Sequence, residues 1–351
     1  MAEHSNNYPK LHNAAWPGIV GKGAPDSEPI IALDTLLKLT AGAEVDGVKF
    51  DGIDLFVTAP HFDIDSDAGA VRRMTDHIAS YGLEVGSFVA PIWGGAGGGS
   101  AMGDADDVKR FLTQVRKASN IGKQMRELGI RPTGGIRVDS SVGVEGWDAD
   151  PEGNTKKIAS TFREAGKIAQ DHGELIVAEG EICWGGMHSR RENVKLLEMV
   201  GMPGVVGYQA DMAHSMLFVL GANAEKDRIL PADFDWSDKA ALDAAYKKVA
   251  DALRPWTLDF HVAQNDGTTF GSGTHEKTGR HCQIDDPNGR LDVPKHAGYW
   301  LRDGSGQLTK TMRHICWDGC MFSNAVMEQQ ATWNKVLGAM IKVRDAHGWR
   351  E

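Results

Sequence analysis

Glu179 and Glu181 close the run ELIVAEGEICWGG, residues 174–186, an apolar stretch that ends in two acids one residue apart and then in glycine. Side chains on a strand alternate with a period of two, so the two carboxylates share a face. Polar residues close other apolar runs in the same way. Asp211 ends GVVGYQAD with His214 three residues on, His261 lies in WTLDFHVAQ, and Asp318 sits at the end of RHICWDG. Acids with one imidazole form an oxygen-rich donor set, which favours Mn²⁺, Mg²⁺ or Co²⁺. A closed Zn²⁺ site would want more cysteine or histidine, so Zn²⁺ is the lesser fit. On this reading one divalent ion is held by Glu179 or Glu181 with Asp211, His261 and Asp318. An ion with open positions binds vicinal oxygens of a sugar and stabilises negative charge on an enediolate while a nearby base moves a proton. Glu181, His214 and His188 are the candidate bases.

These residues converge only if the strands that carry them lie side by side. A first strand is expected at PGIVG (17–21), followed by a helix over 31–45. The same unit recurs: GIDLFVTAP with a helix over 67–82, LEVGSFVAPI with a helix near 105–128, and TGGIRVDS with a helix near 154–171. ELIVAE and a helix near 188–200 follow, then GVVGYQAD with a helical stretch ending near 253, WTLDFHVAQ, and RHICWDG with a closing helix over 325–346. Glycines 82, 129, 173 and 204 mark helix-to-strand junctions. Eight such units predict an α/β fold, a (β/α)₈ TIM barrel formed by the whole chain, 1–351, as one domain. No G-x-G-x-x-G follows the first strand, against an open dinucleotide-binding sheet. The run WGGAGGGS (93–100) lacks a P-loop ending and reads as a flexible active-site loop. Long segments follow strand six (221–240) and strand seven (265–310), and the second is expected to act as an active-site loop or lid.

In a barrel the chemistry sits at the carboxyl ends of the strands. Lys22, His61, Trp93, Arg137 and His188 fall on that rim after strands one to five, and Trp184 lies in the strand-five loop. Taken singly, each is more often a structural residue; together they suit a polyhydroxylated ligand. The long segment adds His275, His281, Arg280 and Trp300 as residues able to touch substrate. Trp16, Trp93, Trp184 and Trp317 offer faces for stacking on sugar C–H groups, although tryptophan more often packs in a core.

Lys and Arg number 38 against 48 Asp and Glu, a net charge of −10 without a basic stripe, which disfavours a nucleic-acid partner. No long apolar run indicates a membrane span, and the N-terminus lacks a signal-peptide pattern, so a cytoplasmic protein is expected. Nothing in the composition opposes a homo-oligomer. Cys183, Cys282, Cys316 and Cys320 are too few for a disulfide framework and read as packed thiols.

Over residues 17–346, the order and spacing of these elements resemble the xylose isomerase-like superfamily of sugar isomerases and epimerases, as does the phrase FDGIDLF. The resemblance implies a metal-binding Glu at the end of strand five, an Asp-x-x-His on strand six, a His on strand seven and an acid on strand eight. These fall on Glu179 with Glu181 as rival, on Asp211 and His214 in DMAH, on His261 and on Asp318. The strand-eight acid is usually Glu and doubles as a base in the epimerases, which makes Asp318 a candidate for catalysis as well as ligation; it is one methylene shorter. The phrases EGEICWGGMHS and DFHVAQNDG resemble members that act on 3-keto-glycosides by β-elimination. The implied activity is a metal-dependent sugar isomerase or epimerase, with a lyase or hydratase on 3-keto-glycosides and a non-catalytic sugar-binding barrel as the alternatives.

Overall fold

A computed structural model of the chain describes residues 6–270 and 278–351. Eight parallel strands close on themselves: β1 Lys10–Ala14, β2 Gly52–Phe56, β3 Glu84–Val89, β4 Ile136–Val138, β5 Ile176–Glu179, β6 Val206–Asp211, β7 Thr257–Val262 and β8 His314–Trp317. The closing pair sets His314 opposite Lys10 and Trp317 opposite Asn13. Outer helices alternate with them: α1 Leu33–Gly42, α2 Ala68–Ser80, α3 Ala105–Glu127, α4 Pro151–Asp171, α5 Arg190–Val200, α6 Lys239–Leu253, α7 Val293–Leu301 and α8 Gln330–His347. Strands covered on both faces read as unbroken apolar runs, as in the fully buried Ile176, Val177 and Ala178 of β5. Six of the helices start on a side chain that accepts a backbone N–H, from Asp67, Asp104, Asp150, Ser189, Asp238 and Asp292.

Two expectations change. The first strand is Lys10–Ala14, and residues 16–18 form a 3₁₀ turn in place of a strand at 17–21. KLHNA hides its identity because it buries polar side chains, and Pro17 offers no N–H to a ladder. The segment 265–310 is also not wholly loop, since it contains α7 and the return to β8; the excess over a minimal unit lies before residue 293. After β6 the chain makes a short helix, Met212–Val219, before reaching α6.

The lower part of the barrel is polar where apolar layers are the rule. His12 on β1 places Nδ1 2.8 Å from Asp54 on β2 and Nε2 3.1 Å from Glu84 on β3. His314 reaches the second Asp54 oxygen at 3.2 Å. Two glycines make room for the imidazole, because a Cβ at Gly52 would lie 2.5 Å from His12 Nε2 and one at Gly86 would lie 2.1 Å from Asp54 Oδ1. Burial alone would lower the pKa of His12, but Asp54 and Glu84 outweigh it and carry it up to about 10.

His12→Leu should destabilise the protein by about 3–5 kcal/mol at neutral pH, because it leaves buried carboxylates short of a partner. The contribution of His12 is full below its ordinary pKa of 6.5 and is lost as pH rises towards 10. Urea unfolding across that range should therefore show a decline in the parent that is much weaker in the variant. Equal stability of the two proteins at pH 7 would refute this account of the layer.

Candidate metal and catalytic site

Above this layer the strand ends bring four side chains to one point. Asp211 ends β6 directly beside His261 on β7, and Cys316 on β8 pairs with His261 from the other side. Asp318 follows β8, its N–H held by the Val262 carbonyl at 3.0 Å. One donor atom from each of Glu179, Asp211, His261 and Asp318 lies within 4.8 Å of the others, and all four residues are buried. His261 Nδ1 stands 3.6 Å from Glu179 Oε1, 4.0 Å from Asp211 Oδ2 and 3.7 Å from Asp318 Oδ2. Neither ring nitrogen of His261 has a hydrogen-bond partner among the described residues. An unpartnered buried nitrogen facing three carboxylate oxygens is the donor set a hard divalent cation takes.

The electrostatics point the same way. Burial opposes ionisation of Glu179, but the Arg137 guanidinium and His261 hold its pKa well below the usual carboxylate range. Asp211 falls to about 2 against its burial, through His214 and His281. His261 rises to about 10 against its burial, through Glu179, Asp259 and Asp318. Asp318 moves upward, chiefly by burial. A proton on His261 is one way to balance the acids and a cation is the other; the two exclude each other, since a ligating imidazole is neutral.

Glu179 and Glu181 do share a face, and Arg137 is what they share. Its Nε donates to Glu179 Oε2 at 2.6 Å, Nη1 to Asp139 Oδ2 at 2.7 Å and Nη2 to Glu181 Oε1 at 2.8 Å. The other Glu181 oxygen accepts from the Thr278 hydroxyl at 2.7 Å and lies 3.8 Å from His214 Nε2. Thr278 belongs to a hairpin, Thr269–Phe270 with Thr278–Gly279, in the segment after β7. The same segment brings His281 Nε2 to 3.4 Å from Asp211 Oδ2. Two residues of the long segment, Thr278 and His281, thus meet the strand-end acids.

A cavity of about 180 Å³ opens beside these groups. Its far wall is aromatic: Trp93 stacks on Trp184 with centroids 6.3 Å apart and meets the edge of Phe56 at 5.6 Å. Trp16 lies against His261 at 5.1 Å and points its indole N–H at Asp318.

Of the residues singled out in the sequence, the structure gathers Glu179, Glu181, Asp211, His214, His261, His281, Asp318, Arg137, Trp93 and Trp184 around this cavity. Lys22, His61, His188, Arg280, Trp300 and Trp317 do not line it. Lys22 pairs with Glu28 at 2.8 Å and with the Phe322 carbonyl at 3.0 Å. His61 is bound to the Ile31 carbonyl at 2.7 Å and does not line the cavity. His188 packs edge-on against Trp147 at 4.9 Å and does not line the cavity. His275 lies outside the described residues. Trp300 packs on Tyr208 and Phe260 in the core, and Arg280 pairs with Asp266. The cysteines are free thiols, Cys183 and Cys320 at the cavity wall. The glycine run serves close approach, since a Cβ at Gly98 or Gly99 would lie 2.0 Å from a backbone oxygen. Asp139 was legible by the same period-two logic, two residues after Arg137; the Thr278 contact carried no signal in the sequence.

No protein-family model and no curated protein matches the chain. Solved structures do match. A D-tagatose 3-epimerase-like protein superposes with a TM-score of 0.58 at 12% identity, covering 96% of this chain and 98% of the other. The 3-keto-D-glucoside 4-epimerase YcjR from E. coli gives 0.52 at 14%, covering 95% and 99%. A xylose isomerase-like TIM barrel protein from Mycobacterium smegmatis, in complex with magnesium, gives 0.58 at 12%, covering 96% and 97%. At these identities the likeness shows the fold, which is that of the xylose isomerase-like TIM barrels. No helix among the described residues is long and apolar enough to cross a membrane.

Proposed function

We propose that this chain is a divalent-metal-dependent sugar isomerase or epimerase that moves a proton on the carbon next to a carbonyl. One observation carries the reading: three buried carboxylate oxygens face an unpartnered imidazole nitrogen at the mouth of the barrel. Structural neighbours named as epimerases, and one named as a magnesium complex, support it. Glu179, Asp211, His261 and Asp318 would hold the cation. When bound, it supplies Lewis acidity that polarises a carbonyl and lowers the energy of carbanion character beside it. Mn²⁺, Mg²⁺ or Co²⁺ suits this donor set better than Zn²⁺.

The chain's own residues do the rest. Glu181 stands outside the four-residue cluster and presents Oε2 to the cavity between the Thr278 hydroxyl and His214, so it is assigned as the base that accepts the substrate proton. His214 Nε2 lies 3.8 Å from Glu181 Oε2 and is the imidazole beside the base able to exchange a proton with it. The aromatic wall of Trp93, Trp184 and Phe56 keeps bulk water from the reacting carbon and offers a face to sugar C–H groups. His188 has no part in this scheme, because it does not reach the cavity.

A second reading keeps the same proton step and lets a leaving group depart from the neighbouring carbon, as in β-elimination from a 3-keto-glycoside. The apolar wall favours it to the extent that it accommodates a substituent on the sugar. Incubation with a free ketose and with a 3-keto-glycoside separates the two by their products, an epimer or a released aglycone. A barrel that binds sugar without turning it over would give neither.

Asp211→Ala and His261→Ala should lose bound metal by elemental analysis, whereas Glu181→Gln should keep it and lose roughly 10²- to 10⁴-fold in kcat. Full metal content in the first two variants would move the site elsewhere.

In D₂O the product or recovered substrate should carry solvent deuterium at the carbon next to the carbonyl. Turnover without uptake of deuterium would mean hydride shift or hydroxide attack, and the proton-transfer reading would fail while the fold stood.

A further inference from the structure

Each carboxylate of the cluster has one oxygen already taken by an N–H of the chain. Asp211 Oδ1 accepts from the amides of Ala213 and His214 at 2.7 and 3.0 Å. Asp318 Oδ1 accepts from the amide of Cys320 at 2.7 Å, with the Trp16 indole N–H shared between both oxygens at 3.2 Å. Glu179 Oε2 accepts from Arg137 Nε at 2.6 Å and is also paired with Nη2. The other oxygens, Glu179 Oε1, Asp211 Oδ2 and Asp318 Oδ2, are the three that face His261 Nδ1, and Asp211 Oδ2 also meets His281 Nε2 at 3.4 Å.

For the two aspartates that division is made mainly by main chain, in the turns after β6 and β8. For Glu179 it depends on one side chain. Arg137 is itself held from behind, by Asp139, whose other oxygen accepts the Ser141 amide at 2.7 Å. We infer that Arg137 is a positioning residue that restricts Glu179 to a single ligand oxygen, so that the cation is gripped by four donors and keeps two positions for substrate. Arg137 therefore serves the ligand set, with Glu179, Asp139 and Glu181 engaging its three nitrogens. With the guanidinium removed, Glu179 is free to offer both oxygens and to fill a position that a substrate oxygen needs. This rests on the cation reading proposed above.

The test uses the full chain and Mn²⁺ as the probe, with bound ion counted by electron paramagnetic resonance and the water-proton relaxivity per bound ion measured. Six-coordinate Mn²⁺ on four protein donors keeps two exchangeable waters, and a bidentate Glu179 leaves one. Relaxivity per bound ion should fall about two-fold in Arg137→Met, and millimolar guanidinium should restore it. If that variant does not fold, Arg137→Lys decides. It keeps the charge without the planar fork, so the inference predicts a similar fall, whereas a role in charge balance alone predicts the parent's value. Bound Mn²⁺ with unchanged relaxivity overturns the inference and leaves the proposed function intact. A parent that binds no Mn²⁺ overturns the cation reading itself.

Discussion

Three carboxylates and an imidazole cannot be buried together without a countercharge, and the strand ends of this barrel bury them at one point. The surrounding structure answers that constraint in layers. Arg137 reaches from β4 to neutralise the side of Glu179 that faces away from His261, and takes Glu181 and Asp139 with it. Burial lifts the Asp139 carboxyl to about 7 despite the adjacent guanidinium, with smaller contributions from Glu181 and Glu179. The aspartates are met by backbone N–H groups at the turns that follow β6 and β8, so the same turns that end the strands also aim the second oxygen of each at His261.

The polar layer below is continuous with the site. His261 Nε2 lies 4.0 Å from Asp259, which accepts from Gln209 at 2.6 Å and approaches His314 at 3.5 Å. From His314 the chain of contacts passes through Asp54 to His12 and Glu84. The interior therefore holds hydrogen-bonded polar side chains where most barrels hold branched apolar ones, with Asp259 Oδ1 and Gln209 Oε1 buried without a hydrogen-bond partner among the described residues.

Much of this was legible in the sequence because it follows from periodicity. Strands β2 to β8 are apolar runs, and acids at their ends stand out against them; alternation alone put Glu179 and Glu181 on one face. The choice between the two was not legible, because it depends on which carboxylate Arg137 and Thr278 turn towards His261 and which towards the cavity. Strand β1 was hidden for the reason that makes it distinctive, a buried polar side chain in a five-residue strand. Lys22, His61 and His188 sit at plausible chain positions, but local partners claim them: Glu28, the Ile31 carbonyl and the Trp147 ring. Position along a loop says little about which way a side chain points. His281 and Thr278 reach the site only because a hairpin folds back over it, a tertiary event that no local pattern encodes.

The most direct test is crystallographic. Crystals grown with Mn²⁺ and measured at the manganese absorption edge should show one anomalous peak bonded to His261 Nδ1, Glu179 Oε1, Asp211 Oδ2 and Asp318 Oδ2. An empty cluster, or an ion held by Glu181 and His214 in its place, would contradict the assignment on which the proposed chemistry depends.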